Sequence, residues 1–83
     1  MTRDEAVQRG QEAARLLEHE ILVEAFAAIE ADALEALVSA RPDDDVTRRH
    51  EALRIAVVRD VRQQLRSVIT TGKLAVAEGK ARR

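Results

Sequence analysis

The sequence predicts an all-α fold, an antiparallel helical hairpin that self-associates into a helical bundle. Residues 12–40 contain no Pro or Gly, and their apolar residues recur at steps of three and four, as on one face of an α-helix. Residues 57–69 repeat this pattern, and a Pro-Asp segment separates the two stretches. The halves of the chain also carry opposite charge, which favours two helices lying against each other.

The formal net charge of −1 conceals this division. Residues 1–47 hold four basic and twelve acidic residues, a balance of −8, whereas residues 48–83 hold ten basic and three acidic residues, a balance of +7. A basic half is also typical of proteins that bind nucleic acid. We favour pairing of the two halves, because the acidic half would repel a phosphate backbone.

The chain of 83 residues predicts a single helical domain, residues 1–83, with a small core, because Phe26 is its only aromatic residue. We therefore expect its stability to be shared with a partner. The absence of Cys excludes disulfides and thiolate zinc sites and favours the cytoplasm. The Met1 end lacks an apolar segment, and no run approaches the ~18 residues of a membrane span, so we expect an unprocessed, soluble protein.

The first helix is predicted over about residues 3–40. Thr2 and Glu5 have the spacing of a capping box, in which the Thr hydroxyl accepts from a first-turn amide and the Glu reaches back to the Thr amide. Gly10 disfavours the helix by about 1 kcal/mol relative to Ala, so we expect the first turns to fray or kink there.

The turn is predicted over residues 41–45. Pro42 disfavours helical backbone at the residue before it, and three Asp residues follow. Asp44, Asp45 and Thr47 are all candidates for the N-cap of the second helix, and the sequence does not choose between them.

The second helix is predicted over about residues 45–71. Gly72 can adopt the left-handed conformation that ends a helix, after which a short third helix would follow. The sequence leaves open whether the second helix instead continues through Gly72. Residues 79–83 are predicted to form a basic tail.

Two sets of side chains are the candidates for function. The first is apolar and is predicted to pack and self-associate: Leu22, Phe26, Ile29, Leu37, Val58, Val61, Leu65 and Val68. The second is a basic strip on one flank of the second helix, for contact with phosphate or an acidic partner: Arg48, Arg59, Arg62, Arg66 and Lys73. We interpret the strip as a solvated side, since no aromatic residues interleave for base stacking.

The sequence offers no recognisable catalytic, cofactor or metal site. His19 and His50 have no triad-like setting, and neither is preceded by the Glu of a Glu-x-x-His motif. The Asp43 to Asp45 run lacks the alternate spacing, Gly and Glu of an EF-hand. We therefore predict a protein that is not an enzyme and has no cofactor.

Several segments resemble a family of short all-helical proteins encoded in tailed-phage, prophage and gene-transfer-agent-like genomes. The matching residues are Leu16-Leu17, Leu22-Val23-Glu24-Ala25-Phe26, Ile29-Glu30, Val61-Arg62, Leu65, Ser67-Val68-Ile69 and Thr71-Gly72-Lys73-Leu74-Ala75. The resemblance implies a gene near phage packaging and head genes, and it carries no catalytic residues.

These observations together predict a non-enzymatic protein-protein interaction module, a homo-oligomer. The resemblance implies a phage or prophage assembly protein, or a virion-associated accessory protein, and we expect phage head or packaging proteins as its partners. We expect it in the host cytoplasm or in the virion. The alternative is an accessory nucleic-acid-binding protein or small regulator that uses the basic second half.

Overall fold

A computed structural model describes residues 1–81, which form three α-helices and no strand. Helix α1 spans Arg3–Glu18, α2 spans Glu20–Ser39 and α3 spans Asp45–Ala81. The predicted all-α class is confirmed. Arg82 and Arg83, the end of the predicted basic tail, lie outside the described residues.

The single first helix predicted over residues 3–40 is divided at His19. His19 has extended backbone angles, φ −68° and ψ 118°, and its amide donates to the carbonyl of Leu16 at 3.2 Å. Helix α2 begins at the next residue. Neither Pro nor Gly stands at this position, so local helix propensity does not specify the break.

The helix stop expected at Gly72 is also not observed. Helix α3 continues through Gly72 to Ala81, and no glycine among the described residues has a positive φ. Residues 74–77 therefore belong to α3 rather than to a separate C-terminal helix. The third helix of the fold arises instead from the division of the first.

Contacts divide the chain into two compact units. In unit 1, Met1–His19 packs with the part of α3 from Arg62 onward, and unit 2 comprises Glu20–Val61. Unit 2 is a helical hairpin, because α2 and the first part of α3 are joined by the short turn at residues 40–44. The grouping of residues 1–83 as one domain stays a prediction.

Both predicted helix starts have side-chain caps. The Thr2 hydroxyl oxygen accepts a hydrogen bond from the Glu5 amide at 3.2 Å, as the capping box predicts. The Glu5 carboxylate accepts from the Thr2 hydroxyl at 3.1 Å, whereas the capping box predicts that it accepts from the Thr2 amide. At the start of α3, the carboxylate of Asp44 accepts from the Thr47 amide at 3.0 Å. Asp44 is therefore the cap among the three candidates.

Unit 1 is packed through small residues. Ala6, Gly10 and Ala13 of α1 are buried, as are Gly72 and Ala75 of α3. A Cβ at Gly10 would lie 3.0 Å from the Cα of Gly72, and a Cβ at Gly72 would lie 2.9 Å from the carbonyl oxygen of Ala6. The two backbones thus approach more closely than any side chain would permit, and we call this contact the glycine crossing.

Unit 2 has a thin core. Ala33 of α2 is fully buried and Val58 of α3 is 5% exposed. The larger predicted packing residues are half-buried around them: Leu22, Phe26 and Leu37. No large side chain among the described residues is fully buried.

Candidate interaction surfaces

Helix α3 carries an exposed apolar face within unit 2, which we call the α3 seam. Its members are spaced by four, three, four and four residues and lie on one side of the helix: Val46, His50, Leu53, Val57 and Val61. Val46 is 72% exposed, Leu53 64% and Val57 59%. Such spacing is typical of a helix face that packs against another helix.

Helix α2 carries a second exposed apolar face, which we call the α2 stripe. It consists of Val23, Leu34 and Val38, separated by eleven and four residues, so all three lie on one side of the helix. The adjacent side is acidic, because it carries Glu20, Glu24 and Glu35. The α2 stripe is therefore bordered by negative charge.

The predicted packing residues fall into two groups. One group is buried or half-buried within the units: Leu22, Phe26, Leu37, Val58 and Leu65. The other group is exposed: Ile29, Val61 and Val68. Packing within the chain thus uses only part of the predicted set, and the exposed members stay candidates for self-association.

In unit 2 the basic strip is occupied by structural contacts. Arg48 donates to the carbonyl oxygens of Arg41 at 2.6 Å and Pro42 at 2.7 Å, and it also pairs with Asp45. Arg59 lies 3.8 Å from the carboxylate of Glu30 on α2. Arg48 therefore holds the turn together, while Arg59 links the two helices of the hairpin.

In unit 1 the remaining members of the strip have different settings. Arg62 is half-buried and has an interaction partner. Arg66 and Lys73 are exposed on α3, and Lys73 borders a small cleft beside Gly10 and Gly72. Only these two members of the strip are exposed on unit 1, so the strip offers phosphate fewer cations than the five predicted from the sequence.

Two clefts flank the glycine crossing. The larger, about 170 Å³, is lined by Met1, Ala6, Arg9, Gln64, Ser67, Val68 and Thr71, and the smaller is about 90 Å³. Pockets that hold cofactors or drug-sized ligands are usually at least about 300 Å³. Both clefts are therefore too small to hold a cofactor or a drug-sized ligand.

The three carboxylates of the turn serve its local structure. Asp43 lies 3.7 Å from Arg41, and Asp45 pairs with Arg48. Hydrogen bonds from Thr47 hold the pKa of Asp44 below its ordinary value of 3.8. Across residues 1–81, no three His, Asp or Glu side chains are grouped so that they could hold a metal ion.

Sequence reasoning missed both the glycine crossing and much of the α3 seam. Helix propensity marks Gly10 as a weak point and Gly72 as a stop, but Ala6 and Ala13 flank Gly10 at helical spacing. That spacing is a signal for close helix packing. Val46 and Leu53 are seven residues apart, and this heptad spacing is the signal for the seam.

Comparison of the chain with protein-family models, with curated proteins and with solved structures finds no match. None of the three helices described has an apolar stretch long enough to cross a membrane. The fold and its surfaces therefore define the class of the protein: a small all-α chain of two helix-pair units with exposed apolar faces.

Proposed function

We propose that this protein is a non-enzymatic helical interaction module that works by self-association. The observation that carries the proposal is the position of its large apolar side chains. They recur at helical spacing on the outside of unit 2, while the buried apolar residues of the described chain are four Ala and one Val. A chain that leaves such faces exposed gains more by covering them with another helix than by remaining alone.

The biological setting is part of the same proposal. The resemblance to phage and prophage proteins points to a role in assembly or as a virion-associated accessory, with head or packaging proteins as partners. Its test is the position of the gene. A neighbourhood of packaging and head genes supports this setting, and a neighbourhood free of phage genes contradicts it.

Self-association is tested by size-exclusion chromatography with light scattering over a range of concentrations. We expect a mass that is a multiple of 9.2 kDa and that falls on dilution. A mass of one chain at every concentration would refute the proposal. Circular dichroism on the same samples checks that the chain stays helical at every concentration.

A further inference from the structure

We propose that a second copy of this chain docks on the α3 seam, with the two seams antiparallel about a two-fold axis near Leu53. This inference rests on the proposed self-association and specifies which face carries it. The relevant observations are the spacing of the seam, its exposure and the charges along its edge.

The seam has the composition of a helix–helix interface. Its apolar members are spaced by seven, four and four residues, and each is more than 40% exposed: Val46, Leu53, Val57 and Val61. Antiparallel pairing about an axis near Leu53 places Val46 against Val61 of the second copy and His50 against Val57 of the second copy. The same apolar surface is thus used twice, as a two-fold interface requires.

The charges beside the seam select the antiparallel orientation. Arg49 and Asp60 are exposed and eleven residues apart, so they lie on the same flank of α3, about 16 Å from each other. Antiparallel pairing brings Arg49 beside Asp60 of the second copy at both ends of the interface. In a parallel pair the two-fold axis runs along the helices, so the Arg49–Asp60 flanks of the two copies would lie on opposite sides of the interface. Neither Arg49 nor Asp60 would then meet its opposite charge on the second copy.

The α2 stripe fits a second copy less well. Its bordering charges are Glu20, Glu24 and Glu35, with no cation among them. Antiparallel pairing of two such faces would bring the carboxylates of the two copies together, and parallel pairing would leave them without an opposite charge. The α2 stripe therefore serves as the matched control for the α3 seam.

The first experiment compares Leu53→Glu with Leu34→Glu by sedimentation equilibrium. Leu53 is 64% exposed on the seam and Leu34 54% exposed on the stripe, and Leu and Glu have similar helix propensities. We expect Leu53→Glu to raise the dimer Kd by at least about 100-fold, because it buries two carboxylates at the axis. Leu34→Glu should change the Kd less than about threefold. Equal effects of the two variants would overturn the docking face.

A variant that tightens the dimer separates docking from folding defects. His50 is the polar member of the seam, and we expect His50→Leu to lower the dimer Kd by about tenfold. Circular dichroism on the same samples shows whether the variant keeps the wild-type helix content, so that tighter docking is distinguished from aggregation of a misfolded chain. An unchanged or higher Kd for His50→Leu would count against the seam.

The second experiment tests orientation, and it is simple because the chain has no Cys. Val46→Cys and Val61→Cys are each oxidised alone and then as an equimolar mixture. Antiparallel docking predicts a disulfide-linked dimer in the mixture and little in either variant alone. Disulfide-linked dimers of either variant alone would indicate parallel helices and overturn the proposal. Val38→Cys is the control for disulfides that form by random collision.

The failure of this inference can be told apart from failure of self-association itself. A wild-type chain that is a monomer at every concentration contradicts both. A wild-type chain that associates, but is insensitive to Leu53→Glu and does not cross-link in the mixture, contradicts only the α3 seam.

Discussion

Gly10 and Gly72 meet backbone to backbone in unit 1: a Cβ at Gly10 would lie 3.0 Å from the Cα of Gly72 and 3.3 Å from the carbonyl oxygen of Val68. In isolation each glycine weakens its helix by about 1 kcal/mol relative to Ala. The close approach offsets that cost, because the absent side chains let the two helices pack at short range.

Replacing Gly72 should therefore destabilise the protein although Ala is the better helix former. In Gly72→Ala the new Cβ would lie 2.9 Å from the Ala6 carbonyl oxygen and 3.0 Å from the Gly10 Cα, so backbone must move. We expect a loss of about 1 to 3 kcal/mol in the free energy of unfolding, measured by urea titration.

Gly79→Ala is the matched control for Gly72→Ala. Its Cβ would meet the guanidinium of Arg3 at 3.1 Å, the end of a flexible side chain. We expect unchanged stability or a gain of up to about 1 kcal/mol. If both substitutions were neutral, the close contact at the glycine crossing would be contradicted.

Truncating Phe26 should weaken unit 2 by a moderate amount. The side chain is half-buried on α2, whereas a fully buried Phe costs about 3 to 5 kcal/mol on replacement by Ala. We expect Phe26→Ala to lower the free energy of unfolding by about 2 kcal/mol. Val38→Ala, at a position 70% exposed, should change it by less than about 0.5 kcal/mol. Equal changes in the free energy of unfolding for the two variants would show that Phe26 does not contribute to the core.

The Asp44 cap should make stability depend on pH in the acid range. Because hydrogen bonds from Thr47 lower the pKa of Asp44 in the folded chain, its ionised form stabilises the fold above the ordinary value of 3.8. That contribution is lost as pH falls through the folded-state pKa.

Asp44→Asn isolates this effect, since Asn also caps helices but does not titrate. We expect the melting temperature of the wild type to fall relative to that of Asp44→Asn as pH is lowered from 6 towards 2. If the melting temperatures of the two proteins changed equally with pH over that range, ionisation of Asp44 would make no contribution to stability.

Nucleic-acid binding should be weak and confined to low salt. Arg48 and Arg59 are engaged within unit 2, so few cations of the predicted strip are available for phosphate. We expect no saturable binding of duplex or single-stranded DNA at physiological salt, measured by fluorescence anisotropy at two salt concentrations. Tight binding that weakens steeply with salt would favour the nucleic-acid alternative.

The apolar periodicity, the Thr2 cap and the turn after Ala40 could all be predicted because each depends on residues close in sequence. Candidate packing residues could be recognised as apolar, but not sorted into buried and exposed. Val58 and Val61, only three residues apart on α3, differ in this respect, at 5% and 42% exposure. Which of them is covered depends on where a distant helix lies.

The sequence by itself determined that the chain is helical, that it turns after residue 40 and that its two halves oppose each other in charge. Only the tertiary structure decided that α3 runs through Gly72 against Gly10, and that Arg59 lies beside Glu30 of α2. Periodicity and capping act over a few residues, whereas these outcomes depend on contacts between segments far apart in the chain. For Gly72 the reason is steric: its lack of a side chain matters for the backbone of α1 that it touches, not for the local φ.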